Sequence, residues 1–462
     1  MKMNGHIIKM LEEYNKKERI SFSMPGHKGG KGIKKDVFKL DVTELYDTDS
    51  LHNKNGAIKK ASEAIAKIAG ADESFIMVNG STGGIFTMLS SVLKRGDKLL
   101  VSRACHMSVI NACVTLGIEP VFCEQKLYKK YSLTGEVNID DLEEKLEKYS
   151  FKAVIITSPN YFGMVSDIKK IAEILNKKGI PLLVDAAHGA HFFAGDFLPQ
   201  SPVRLGADMV IESTHKTLNA LNQSAVLHVK YGKVDIERVR EMSMFFQTSS
   251  PSYPIAATAE SAIKEIEENK ELWEKTYKYS KAIKEEIRKN TDINIPGKED
   301  GIFDIDETRL LFNFSNYDIT GYMVCDILRD RYNIDVEMAD RENIVLIATP
   351  SNEYSDFCIL KEALCEIVKD VPKKSAADDF MIPSLIQCKI PPQDAFYRDG
   401  EYVELSESLG RISARTVVVY PPAVPVIVPG TMIEEECIKY LKNCGGEIIG
   451  LKEGKIKVVK EG

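Results

Sequence analysis

The chain has 462 residues, 44% hydrophobic and 28% charged, with a formal net charge of −7. That profile suits a globular protein of two or three domains, and its acidic balance without any basic block excludes a general nucleic-acid binder. No apolar run approaches the ~20 residues that span a bilayer, so no membrane partner is expected.

Taken in order, the start (Met1-Lys2-Met3-Asn4-Gly5-His6) carries no apolar signal-peptide core. Residues 6–15 read as a short amphipathic helix. Ser23-Met24-Pro25-Gly26-His27-Lys28-Gly29-Gly30 follows, either a phosphate cradle or a flexible arm, and no P-loop spacing can be drawn through it. The stretch 41–52 is acidic yet keeps its apolar residues. Helical spacing of Ile58, Ala61, Ile65 and Ile68 predicts a helix that Gly70 ends.

An alternation then begins. Strands are expected at 75–78, 98–101, 120–123, 153–156, 181–185 and 209–211, with helices at 85–93, 106–116, 138–149 and 167–178 between them. Short strands alternating with helices predict a mostly parallel sheet covered on both faces, an α/β fold. The pattern fades at Thr248-Ser249-Ser250-Pro251-Ser252-Tyr253-Pro254, a Ser/Pro cluster at a domain edge. One long charged helix is expected over 256–290, then strands at 310–314 and 344–347 with helices at 319–330 and 354–369. The tail carries Tyr420-Pro421-Pro422-Ala423-Val424-Pro425, where prolines forbid regular helix and demote central-strand readings. The expected division is an arm over 1–40, a large domain over 41–253, a small α/β domain over 254–375 and a C-terminal domain over 376–462. Nine scattered cysteines with no Cys-x-x-Cys pair are expected as reduced thiols of a cytoplasmic protein.

Ligands of an open parallel sheet sit beyond the carboxyl ends of its strands. After the first strand comes Asn79-Gly80-Ser81-Thr82-Gly83-Gly84, a helix N-terminus with two hydroxyls that suits an anion, or a plain Ser/Thr cap with turn glycines. After the second comes His106. After 181–184 come Asp185, His188 and His191, which could hold a metal or could pair Asp185 with a pyridinium nitrogen. After 209–211 come Ser213, His215 and Lys216. A phosphate cup, a ring-stacking imidazole, a buried aspartate and a lysine are the parts that a pyridoxal-phosphate enzyme needs, and a zinc enzyme needs neither the lysine nor the cup.

The ordered motifs carry a resemblance. They are Met24-Pro25-Gly26-His27-Lys28, Asp41-Val42-Thr43-Glu44, Asp49-x-Leu51-His52, Asn79-Gly80-Ser81-Thr82-x-Gly84 and Arg103-x-x-His106-x-Ser108. Further on come Ser158-Pro159-Asn160-Tyr161-Phe162-Gly163, Asp185-Ala186-Ala187-His188-Gly189-Ala190-His191, Ser213-Thr214-His215-Lys216, Thr248-Ser249-x-Pro251-Ser252-Tyr253 and Tyr420-Pro421-Pro422-x-x-Pro425. With these the chain resembles the Orn/Lys/Arg decarboxylases, in a short form whose motifs begin by residue 24 and which lacks the N-terminal wing of larger members.

The resemblance implies an aspartate-aminotransferase-like fold (fold type I) and the cofactor pyridoxal 5′-phosphate. It implies decarboxylation of arginine, lysine or ornithine, a step of polyamine biosynthesis, in a homodimer or tetramer with the site at the subunit interface. Lys216 would carry the cofactor as a Schiff base, Asp185 would pair with its ring nitrogen, and His106 would stack on the ring. Ser81, Thr82, Gly83, Ser213 and His215 would hold the phosphate, His188 would lie near the phenolic oxygen or the substrate, and Thr248 or Ser249 would come from the partner. Lys216 or His215 would return the proton to Cα. Glu44, Asp47 and Asp49 are the expected acidic partners of the substrate's distal cation. Two positions depart from the family pattern: Ala423 stands where glycine is usual, and Thr431 where glutamate is. An aminotransferase or lyase of the same fold is the rival, with Arg411 and Arg415 as conceivable grips on the α-carboxylate.

Overall fold

The computed structural model describes residues 20–23, 27–28, 37–44, 48–53, 55–374, 382–420 and 423–460. The helix expected over 6–15, Met24-Pro25-Gly26, Asp47 and Pro421-Pro422 lie outside them.

A seven-stranded sheet forms the centre. Its strands are β1 (Glu73–Met77), β2 (Lys98–Ser102), β3 (Glu119–Cys123), β4 (Ala153–Thr157), β5 (Leu182–Asp185), β6 (Met209–Glu212) and β7 (Ala225–Val229), in the order β1-β7-β6-β5-β4-β2-β3. Pairing is parallel from β6 to β3, and β7 runs against both of its neighbours. These strands are apolar at nearly every position because both faces are covered. Successive residues go to opposite faces, as the period of two requires: Ile76, Leu100, Val154, Val184 and Val210 join one core, Met77, Val101, Ile155, Leu183 and Ile211 the other.

Three helices matter below, two of which start after strand ends. α1 (Ala57–Ala69) stops at Gly70, whose φ of +77° suits a residue without Cβ. α2 (Gly80–Val92) begins directly after β1, five residues earlier than the periodicity predicts, because Gly80, Ser81 and Thr82 form its first turn. α3 (Met107–Leu116) has His106 as its N-cap, with Nδ1 accepting from the Ser108 amide.

The single helix expected over 256–290 is two, Tyr253–Glu268 and Lys270–Asn290, broken at Asn269, whose backbone leaves the helical region. The expected domain edge at 253/254 therefore falls at a helix start. Beyond it, β8 (Arg309–Asn313), β9 (Met338–Ala339) and β10 (Asn343–Ile347) form an antiparallel sheet with a core of its own, built from Leu310, Phe312, Leu328, Phe357 and their neighbours. The C-terminal part forms a six-stranded sheet around Val417, Val426, Ile438 and Ile456. Pro425 does lie in a strand there, Val424–Ile427, and that strand is the sheet edge, where a missing N–H is tolerated.

Candidate active site

A cavity of about 240 Å³ opens at the carboxyl ends of the parallel strands. Ser81 reaches it from the first turn of α2, His106 from the end of β2, and Thr157, Asn160 and Tyr161 from the end of β4. Asp185 and His188 enter after β5 and Lys216 after β6, while Tyr420 and Val424 of the C-terminal sheet close one side. Of the residues expected to bind a cofactor, Ser81, His106, Asp185, His188 and Lys216 thus line one cavity.

Lys216 sits on a single helical turn, Thr214–Thr217, that β6 feeds directly. The turn is clamped from β7: His215 Nδ1 lies 2.8 Å from the Ser224 carbonyl, and Thr214 Oγ1 bonds Ser224 Oγ. Lys216 Nζ is 3.1 Å from His188 Nε2, and His188 Nδ1 is 3.1 Å from Arg309 Nη2. The Tyr161 ring meets His188 edge-on at 4.9 Å, and its hydroxyl donates to Glu337 at 2.6 Å.

Burial dominates the electrostatics. It pushes Lys216 down from the ordinary lysine range, with the Asp185 carboxylate opposing. It raises Asp185, with Lys216 opposing. His106 is lowered to about 4 by burial and by Lys216. His215 is also lowered to about 4, burial outweighing its bond to the Ser224 carbonyl. His188 is held well below the usual imidazole range by burial, then by Lys216 and Arg309. Three imidazoles are therefore neutral at pH 7 around a desolvated amine.

The residues fit pyridoxal phosphate. The α2 N-terminus has no side-chain cap and no acidic residue in its first turn; the Gly80 N–H is taken by the Gln223 carbonyl at 2.8 Å, which leaves those of Ser81 and Thr82 for an anion. Ser213 Oγ is buried without a hydrogen-bond partner among the described residues, as a phosphate-facing hydroxyl would be before its ligand binds. One Asp185 oxygen accepts from the Ala187 amide, and the side chain faces the cavity, where a protonated ring nitrogen would meet it. Gly84 is required for closeness: a Cβ there would come within 2.2 Å of Ile211 Cδ1 on β6, so α2 lies against the strand that leads into the Lys216 turn.

Other expected residues are placed differently. Gly83 is buried in the first turn of α2, Thr82 is exposed on it, and Ser213 and His215 precede Lys216 at the start of its own turn. Thr248 and Ser249 are exposed and do not line the cavity. Asp49 departs from its expected role. Its carboxylate accepts from the amides of Ser50, Asn55, Gly56, Ile58 and Lys59, capping α1, so its oxygens are committed within the chain. Glu44 is half-buried and away from the cavity lining. Arg411 and Arg415 also lie elsewhere, Arg411 paired with Glu401 and Arg415 bonded to the carbonyls of Phe396 and Ala414. His191 turns away from the cavity to Asp306 at 2.9 Å and stacks on Trp273. Among the described residues no group of His, Cys, Asp and Glu is arranged for a metal ion.

Arg309, Tyr161 and Glu337 escape sequence reasoning. Tyr161 stands within a motif without a stated role, and the one local signal for Arg309 is a cation opening the apolar run Leu310-Leu311-Phe312.

Comparison with known proteins agrees with this geometry. Residues 6–300 match the model of the Orn/Lys/Arg decarboxylase major domain, and residues 376–446 that of its C-terminal domain. An arginine decarboxylase of Bacillus anthracis is 33% identical over 449 residues, covering 94% of this chain and 91% of that protein. The lysine decarboxylase LdcF of Francisella novicida superposes with a TM-score of 0.78 at 21% identity, over 94% of this chain and 78% of the other. A structure titled as SPT with PLP superposes with a TM-score of 0.59 at 15% identity, over 75% of this chain and 87% of the other. The fold is thus that of the fold-type-I pyridoxal-phosphate enzymes, and the family implies that cofactor. The chain belongs to the Orn/Lys/Arg decarboxylase family and is an amino-acid decarboxylase acting on a basic amino acid.

Proposed function

We propose that this decarboxylase binds pyridoxal 5′-phosphate through Lys216 and takes arginine as its substrate. The observation that carries the cofactor reading is the meeting of the Lys216 amine and the Asp185 carboxylate in one cavity beside an uncapped helix N-terminus. Arginine is favoured over lysine and ornithine by the arginine decarboxylase that is 33% identical over almost the whole chain.

When bound, the cofactor supplies an aldehyde for an amine and a protonated ring that accepts the electron pair left as CO2 departs. The chain supplies the rest. Asp185 would hold the proton on the ring nitrogen, and the His106 imidazole, neutral at working pH, would stack on the ring. The first turn of α2 with Ser81, Thr82, Gly83, Ser213 and His215 holds the phosphate. His188 stands beside the Lys216 amine and would serve the phenolic oxygen or the substrate. Return of a proton to Cα falls to Lys216 Nζ, or to His215 only after its Nε2 has first taken up a proton, since the single proton of neutral His215 sits on Nδ1 and is given to the Ser224 carbonyl. With Asp49 committed to α1, Glu44 and Asp47 remain the acids for the substrate's distal cation.

The reading includes a homodimer or tetramer with Thr248 or Ser249 entering the partner's site. It is supported by the exposure of Met244 and Phe245 just before them, 52% and 74% accessible. All nine cysteines are unpaired, which supports a reducing, cytoplasmic compartment, and the amine product of a basic amino acid suits a place in polyamine biosynthesis. The test is an assay of cofactor-replete protein with arginine, lysine and ornithine. CO2 and the matching amine from arginine are expected; 2-oxo acid without CO2 would point to the aminotransferase reading instead.

A further inference from the structure

Arg309 opens β8 and is buried. Its Nη2 lies 3.1 Å from His188 Nδ1, while Nε and Nη1 have no hydrogen-bond partner among the described residues. A guanidinium has five donors, no acceptor, and keeps its proton in proteins. Its charge is balanced here by Asp306 and Glu337, even though burial pulls its affinity for the proton down. His188 Nδ1 must therefore accept, and an imidazole that accepts at Nδ1 carries its one proton at Nε2.

The other end of the ring then decides the state of the lysine. His188 Nε2 lies 3.1 Å from Lys216 Nζ. An Nε2–H directed at that nitrogen needs a lone pair to receive it. An ammonium has none and could bond only to a bare Nε2, which would require an imidazolate. We infer that Arg309 is a positioning residue that locks His188 as the Nε2–H tautomer, and that this tautomer keeps the Lys216 amine uncharged in the cofactor-free protein.

The charged groups around the pair are consistent with it. Lys216 feels Asp185 and Glu337, which favour its proton, against burial and Arg309, which oppose it. His188 feels Lys216, Arg309, His106 and His215, all opposing a second proton. The consequence is a lysine that meets an aldehyde as a nucleophile without first shedding a proton to solvent. Only that purpose rests on the reading of Lys216 as the cofactor lysine; the proton pattern belongs to the apoprotein and can be read without the cofactor.

Two measurements on the cofactor-free protein test it. Nitrogen-15 NMR, with His188 assigned through His188→Gln, should show a bare Nδ1 and a protonated Nε2. Competitive labelling with trace acetic anhydride across pH, quantified on the peptide that contains Lys216, should give a midpoint at least about one pH unit below that of the exposed lysines, roughly tenfold more free amine at neutral pH. In Arg309→Met the tautomer preference should be lost and the midpoint should rise. A protonated Nδ1 in the wild-type protein, or a Lys216 that titrates with the surface lysines, overturns the inference. The wild-type readings decide the matter even if the variant fails to fold. Absent CO2 release with both readings intact would instead count against the proposed reaction.

Discussion

At Asp306 a buried carboxylate meets an imidazole, a hydroxyl and a guanidinium. Its carboxylate takes the His191 imidazole at 2.9 Å and the Thr308 amide and hydroxyl at 2.9 and 2.7 Å, and lies near Arg309. Burial alone would raise its pKa, but His191, Arg309 and Thr308 outweigh burial and hold it below the usual carboxylate range. A lowered carboxylate contributes stability in full above its unfolded value, about 3.9, and loses it as pH falls through the folded value. Asp306→Asn should therefore cost about 3–5 kcal/mol at pH 7, because it strands buried Arg309. The gap to wild type should narrow below about pH 4, as urea midpoints at the two pH values would show. At Lys216 the expected loss is chemical: Lys216→Ala should abolish the cofactor-derived absorbance band and reduce CO2 release to background. Lys216 and Asp185 were legible because each follows an apolar strand. Asp49 misled because the amides that it caps lie up to ten residues later, and Arg309 because its partner His188 is 121 residues away.

Among elements, the contact of α2 with β6 is the one on which the site depends. Gly84→Ala would drive a Cβ into Ile211, costing about 1–3 kcal/mol by overpacking and pushing Ser81 away from Lys216. The expected result is weaker cofactor binding with far-UV circular dichroism unchanged, measured by cofactor titration of the variant. The elements that sequence alone missed share a physical cause. The antiparallel pair Gln125–Tyr128 and Leu133–Val137 carries Lys126, Tyr128 and Glu136, whose polar atoms bond one another across the strands, so no apolar run marks it. β7 holds the buried His228, a polar residue made tolerable by Ser74 Oγ at 2.8 Å directly across from it. The break at Asn269 is invisible because acidic and basic residues continue on both sides of it.

For the whole molecule, the large sheet and the C-terminal part are joined through Arg103. This buried guanidinium places Nε and Nη2 at 2.9 and 2.6 Å from the Pro383 carbonyl. Arg103→Met removes two charge-assisted bonds, with an expected loss of about 1.5–3 kcal/mol. Faster amide exchange over residues 384–390 and a lower Tm would check it, and because Tyr420 and Val424 border the cavity, cofactor affinity should weaken too. Cofactor binding should in turn stabilise the fold. Pyridoxal phosphate at a hundredfold excess over its Kd is worth about 2.7 kcal/mol, readable as a raised Tm that Asp185→Ala diminishes. At this scale the division into sheets was largely legible, since apolar runs of four or five residues recur at α/β spacing. The C-terminal sheet was not, because its edge strand contains Pro425.

The reversed strand β7 has one further consequence, for where the chain can change in length. A parallel strand after β6 would need a crossover that returns the chain to the opposite end of the sheet, whereas β7 turns straight back, starting eight residues beyond Thr217, with Ser224 already bonded back to Thr214 and His215. The segment is a short closed loop pinned at both ends. An added residue between Leu218 and Gln223 would have to be absorbed by the lysine turn itself. The crossover between β4 and β5, which carries a whole helix, could take the same insertion on its solvent side. Tolerance to insertion should therefore collapse within 218–223 and return beyond β7, a profile that a scan of single-residue insertions would trace.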